Sequence, residues 1–100
     1  MNKINLKKNV LGFDGKAAKD EKGEALQLSN QAAAALSGSS QKSVEDVGKV
    51  YDWISSLNKN GMLEVDNTDK EKVKKIIAES PLLTVWVKGQ ILKEIDNSKK

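Results

Sequence analysis

Three carboxylates crowd one segment, Glu45, Asp46 and Asp52, and such groups do acid–base chemistry when an electrophile or a metal sits beside them. Here a helix has its own use for them. Asp46 falls three residues after Ser43, and acidic side chains favour the positive end of a helix dipole. A second acidic run, Asp66-Asn67-Thr68-Asp69, looks like the opening of a calcium loop, but Lys70 occupies a ligand position and the glycine such a loop requires is missing. An N-cap accounts for these residues better. Gly12, Gly15 and Gly23 do not build a phosphate cradle, and no GxxxxGK[ST] occurs. The chain has neither histidine nor cysteine, which removes the commonest general base, the thiolate nucleophile and the usual zinc and iron–sulfur ligands. The expectation is a protein that is not an enzyme, with no catalytic residues, no metal site and no cofactor.

Contact chemistry is what remains. Trp53, Trp86, Tyr51 and Phe13 are the four aromatic residues, and tryptophan is enriched where protein interfaces concentrate their energy. Trp86 belongs to the run Leu82, Leu83, Val85, Trp86, Val87 and reads as core first. Trp53, beside the apolar stripe of its helix, reads equally as core or as an interface anchor. Gly89 would let another backbone approach closely. Trp53, Leu82, Leu83, Trp86 and Gly89 are therefore the candidate interface residues. All 17 basic residues are lysine, at a net charge of +3. Arginine is the residue that forks onto phosphates and guanine edges, so its absence argues against a nucleic-acid partner.

These residues need elements to hold them. A chain of 100 residues with 38% hydrophobic and 31% charged residues fits one soluble α+β domain with a small aliphatic core. Self-association is one remedy for a core of that size. The opening MNKINLKK lacks the apolar run of a secretory leader, and no stretch approaches the roughly 18 to 20 apolar residues of a membrane span. The expected location is a cytoplasm.

The layout expected is a single domain over 1–100, with a β-hairpin region at 1–28, a short helix at 29–36, a linker at 37–42 and a helical part at 43–96. Ile4 and Leu6 alternate, as do Leu26 and Leu28, and Asp14-Gly15 is a turn dipeptide between them. Ser29 is the expected cap of the short Ala-rich helix. In the central helix Val44, Val47, Val50, Tyr51, Ile54 and Leu57 recur at three- and four-residue steps, which predicts a covered stripe. Ser43 starts this helix, and Gly61 ends it in the left-handed conformation, with Leu57 and Met62 at the contact positions of a Schellman motif. Leu63 and Val65 flank Glu64 in an added edge strand. Thr68 and Glu71 form a capping box for a helix bearing Val73, Ile76 and Ile77, and Ser80-Pro81 ends it. A last helix runs from about Thr84 to Asp96, with a strand at 83–87 as the alternative because its residues are β-branched or aromatic. The architecture is thus a small N-terminal hairpin or sheet packed against three main helices.

Four stretches carry a resemblance: VLGFDGKAAKDEKGEALQLSNQAAAAL, VGKVYDWI, LEVDNTDKEKVKKII and VKGQILKEID. Together they resemble a group of roughly hundred-residue proteins of tailed bacteriophages and prophages. Its marks here are the Asp14-Gly15-Lys16 turn, Leu26 and Leu28, the capped helix from Val65-Asp66 to Ile77, and Gly89-Gln90-Ile91-Leu92. Where that group often has proline after the first turn, this chain has Ala17-Ala18. The resemblance implies a phage origin and an interaction role, and carries over no site residues. The function it leads to is a non-enzymatic phage accessory or virion-associated protein that binds virion proteins or copies of itself. The alternatives are a phage-encoded inhibitor or regulator of a host protein and, behind it, a nucleic-acid-binding accessory protein.

Overall fold

The computed structural model describes residues 1–98, so the expected polar tail, Asn97 to Lys100, lies partly outside the described residues. In order, the chain forms β1 (Asn2–Asn5), α1 (Leu28–Ser37), α2 (Val44–Asn60), β2 (Met62–Val65), α3 (Asn67–Glu79) and α4 (Val85–Asp96). A two-stranded antiparallel sheet and four helices make the α+β class that the sequence predicts. No helix among the described residues is long and apolar enough to cross a membrane.

The strand pairing differs from the expected local hairpin. β1 pairs with β2, some 60 residues away in sequence, in the register Asn2↔Val65, Lys3↔Glu64, Ile4↔Leu63 and Asn5↔Met62. Burial explains the choice. Ile4, Leu63 and Val65 are buried on the face the sheet turns inward, while Lys3 and Glu64 oppose each other on the outer face as a favourable cross-strand charge pair. Asn2 is also inside, and its amide donates to the Val65 carbonyl at 3.1 Å and to Asn67 Oδ1 at 2.9 Å, tying the strand to the start of α3.

Between β1 and α1 the chain makes a small triangle in place of a ladder. The Val10 N–H donates to the Leu26 carbonyl at 2.8 Å, the Ala18 N–H to Val10 at 2.7 Å, and the Leu26 N–H to Ala18 at 2.9 Å, so three residues spaced by eight close a ring. Two tight turns make this closure feasible. Gly15 at φ 78° and Gly23 at φ 85° take the left-handed conformation that non-glycine residues avoid. The carboxylate of Asp14 accepts from the Lys16 N–H at 3.0 Å, and that of Asp20 from Lys22 at 2.9 Å and Glu24 at 3.0 Å, which are Asx turns. Val10 is buried, and Ala18 and Leu26 lean on the core. Leu28, expected to extend a strand, instead begins α1, and its N–H reaches the Lys8 carbonyl at 2.8 Å. Ser29 is buried in the first turn and its N–H donates to Leu6, so Gln27 stands at the cap position, without a side-chain bond.

The other helix boundaries follow from side-chain chemistry. Ser43 Oγ accepts from the Asp46 N–H at 3.0 Å, and Thr84 Oγ1 accepts from Val87 at 3.3 Å, opening α2 and α4 as predicted. Residues 85–87 are therefore helical, because the Thr84 cap and the i, i+4 spacing of the buried Ile91 and Ile95 outweigh the strand preference of Val85, Trp86 and Val87. At α3 the cap is Asp66, whose carboxylate accepts from Asp69 at 2.7 Å, and Thr68 lies within the first turn. The helix begins directly after β2, which leaves Thr68 and Glu71 no free terminus to box. At the end of α2, Gly61 has φ 72° and donates to the Leu57 carbonyl at 2.9 Å. Met62 donates to Asn60 Oδ1, so the closure is the single-bond left-handed motif and not the Schellman pair.

One core cluster takes residues from every element, including Leu36 of α1, Leu57 of α2, Val73 and Ile77 of α3, and Ile91 and Ile95 of α4. The stripe expected on α2 splits. Val50 and Leu57 are buried and Ile54 is half-buried, but Val44, Val47 and Tyr51 point outward, and Trp53 takes the place expected for them. The covered sector includes Trp53 because α2 packs chiefly against α1. Lys49 to Asp69 at 3.2 Å and Lys72 to Asp46 at 3.4 Å tie α2 to α3.

Candidate functional site

The five candidate interface residues divide between inside and outside. Trp53 is 8% exposed and Leu83 9%, so both belong to the core. For Trp53 the reason is its sector of α2, and for Leu83 its place in the short link that turns α3 back into α4. Leu82, Trp86 and Gly89 reach the surface. Trp86, read first as core, is 46% exposed, while Trp53, read equally as core or as anchor, is core.

Trp86 forms the centre of an exposed apolar patch with Leu11, Phe13 and Val85, and Phe13 and Val85 are more than four-fifths exposed. The Phe13 and Trp86 rings meet edge to face, with centroids 5.0 Å apart and planes at 67°, a geometry that the ring quadrupoles favour. Phe13 comes from the first tight turn, between Gly12 and Asp14. Gly12 donates to the Lys16 carbonyl at 2.8 Å and Gly15 to Gly12 at 3.0 Å, which fixes the turn and lifts the ring outward.

Two side chains of α4 hold that turn in place. The Gln90 amide behaves like a piece of strand: its Oε1 accepts from the Leu11 N–H at 2.8 Å and its Nε2 donates to the Leu11 carbonyl at 2.9 Å. The Trp86 indole N–H donates to the same carbonyl at 2.6 Å. Below the turn, Lys8 forms an ion pair with Glu94 of α4. The Trp86 ring is thereby fixed against the turn, and Phe13 rests on it edge to face; rings ordered in this way have less conformational entropy left to lose in a contact. A shallow recess between the rings and the helix is lined by Phe13, Val85, Trp86, Gly89, Gln90 and Lys93. A side chain at position 89 would narrow it, and nothing in the chain lies within 4 Å of where a Cβ there would stand.

A second concavity, of about 550 Å³, lies between the end of α1, the 38–41 connector, α2 and α3. Val50, Trp53 and Ile76 line it beside Lys72 and Lys75, and its carboxylates are Asp46 and Glu79. Asp46 is engaged by Lys72 at 3.4 Å and Glu45 by Lys49 at 3.6 Å. Asp52, considered with them for acid–base work, is exposed nearly two turns away. The three carboxylates thus share no reaction centre, and each has a structural use or faces water.

Phe13 and Gln90 were legible only in retrospect. An aromatic residue between Gly12 and Asp14-Gly15 is held in a turn and has no route to the core, which is a signal of exposure. Nothing in the sequence marks Gln90 as the partner of Leu11, since the pairing is set by how α4 lies beside the triangle. Comparison with protein-family models, with curated proteins and with solved structures gives no match for this chain.

Proposed function

We propose that the chain is a non-enzymatic accessory protein of a tailed bacteriophage or prophage, which works by binding another protein through the patch of Leu11, Phe13, Val85 and Trp86. The observation that carries this reading is the exposed Phe13–Trp86 pair, held by three hydrogen bonds to Leu11. A buried-hot-spot interface needs rigid aromatic anchors, and a folded monomer has little reason to lock two rings at its surface. The phage setting rests on the resemblance of the sequence to small phage proteins. It points to a virion protein as the partner and to the host cytoplasm as the place of synthesis.

The test places a photo-crosslinking phenylalanine analogue at position 13 in infected or induced cells. The expected result is one dominant adduct with a phage particle protein, together with the chain's own peptides in purified particles. Trp86→Ala should remove the adduct while the circular dichroism spectrum is retained. An adduct with a host protein and absence from particles would replace this reading with that of a host-directed inhibitor. No adduct at all would refute the patch as a docking site.

A further inference from the structure

The apolar face that α2 leaves uncovered is separate from the aromatic patch. Val44 is 92% exposed, Val47 53% and Tyr51 69%. Together with Gly48, Ser55 and Asn58 they form an uncharged exposed stripe, bounded on one side by the half-buried Ile54 and on the other by Glu45, Asp52 and Lys59. Gly48 is an anomaly. It sits in the interior of a 17-residue helix, where glycine is unfavourable relative to alanine. Yet beyond its chain neighbours and its own helix backbone, no atom lies within 4 Å of the point where its Cβ would be. Nothing within this chain requires the glycine, whereas a backbone approaching from outside would.

We infer that this face is the contact of a homodimer, in which two copies of α2 pack antiparallel about a two-fold axis near Tyr51. The charges beside the stripe select both the occupant and the direction. Glu45, Asp52 and Lys59 follow one another at seven-residue steps along one border, and the border on the α1 side carries no charge. In an antiparallel contact the charged border meets its own reversed copy, so Glu45 faces Lys59 of the second copy at both ends. The one like-charged meeting, Asp52 with Asp52, falls near the axis. A parallel contact would set the charged border against the neutral one and gain nothing from it. Small residues flank the axis as well: Gly48 and Ser55, three and four residues from Tyr51, leave room for the ring of the second copy. The Glu45 side chain is 78% exposed and within reach of such a partner.

A 17-residue helix offers a face only about 25 Å long, which places the contact among small, weak interfaces. Its test is sedimentation equilibrium of the full chain from about 10 μM to about 1 mM, a range chosen for micromolar association. The expected mass rises with concentration from 10.9 kDa toward twice that value. Tyr51→Glu should weaken association at least about tenfold with the melting temperature nearly unchanged, because the ring faces solvent in the monomer, and Gly48→Leu should weaken it as much while raising the melting temperature, because leucine replaces a glycine inside a helix. Glu45→Lys and Lys59→Glu should each weaken it, and the double reversal E45K/K59E should restore it. Trp86→Ala should leave it intact, so failure here and failure of the aromatic patch are read separately. A wild-type mass fixed at 10.9 kDa throughout would overturn the proposal. So would a dimer indifferent to Tyr51→Glu, or a double reversal no better than the singles.

Discussion

Three glycines take positive φ, and their surroundings differ enough to separate backbone strain from steric conflict. Around Gly23, at φ 85°, nothing lies within 4 Å of an added Cβ, so Gly23→Ala meets only the left-handed penalty, about 1–2 kcal/mol. At Gly61 a Cβ would stand 2.8 Å from Lys7 Cβ and 3.1 Å from Lys7 Cα, on top of φ 72°. The backbone there cannot withdraw, because the Leu6 N–H is bonded to the Gly61 carbonyl at 2.8 Å. Urea denaturation should therefore show Gly61→Ala losing clearly more than Gly23→Ala, by roughly 1 kcal/mol or more. Equal losses would mean that the 6–8 segment moves freely against the end of α2. The end of α2 at Gly61 was legible in the sequence, and the contact with Lys7 was not, since it follows from the pairing of β1 with β2. Trp53 and Trp86 carry the same lesson. Each neighbours apolar residues, and which one is covered depends on where α1 and the 10–18 turn lie.

At the scale of elements, helices announced themselves and strand partners did not. Ser43, Thr84 and Gly61 mark termini by chemistry confined to a few residues, so α2 and α4 could be read to within a residue. The link from β1 to β2 depends on which apolar strands share a core, and alternation at Ile4 and Leu6 is equally compatible with a near or a distant partner. The triangle at Val10, Ala18 and Leu26 was hidden for a related reason, because its spacing of eight matches neither helix nor ladder. Between α3 and α4, Lys74 and Asp96 form an exposed ion pair at 2.8 Å. The hydrogen bond from Lys74 holds the Asp96 carboxyl below its ordinary value of 3.8; desolvation opposes it, and the charges of Lys74 and Lys70 add smaller contributions in the same direction as the bond. A depressed folded pKa gives stability that is present above 3.8 and lost as pH falls through the lower folded value. Melting temperatures of wild type and Asp96→Asn should therefore differ near neutrality and converge in strong acid. Salt should shrink the difference, since both side chains face water. A gap that persists at the acid end would assign the effect to the α4 terminus and not to the pair.

For the molecule as a whole, the first strand is the closing piece. Ile4 and Leu6 are fully buried, and Ile4 lies opposite Leu63, so the start of the chain completes a core whose other members come from residues 10 to 95. Removing a buried Ile side chain beyond Cβ costs about 2–5 kcal/mol, against a total of about 5–15 kcal/mol for a domain of this kind. Ile4→Ala should thus lower the chemical denaturation midpoint by a large fraction of its value. Lys3→Ala, one residue away on the outer face, should stay within about 0.5 kcal/mol of wild type. Leu63→Ala should be as damaging as Ile4→Ala. The double variant should lose less than the two singles together, because the two side chains oppose each other and their cavities merge. Additive losses would mean that the strands bury their side chains into separate parts of the core. A cost below about 1 kcal/mol for Ile4→Ala would mean that helices α1 to α4 hold the fold without β1. In that case the Asn2 bonds to Val65 and Asn67 would be the strand's main anchor, and Asn2→Ala would become the more damaging change.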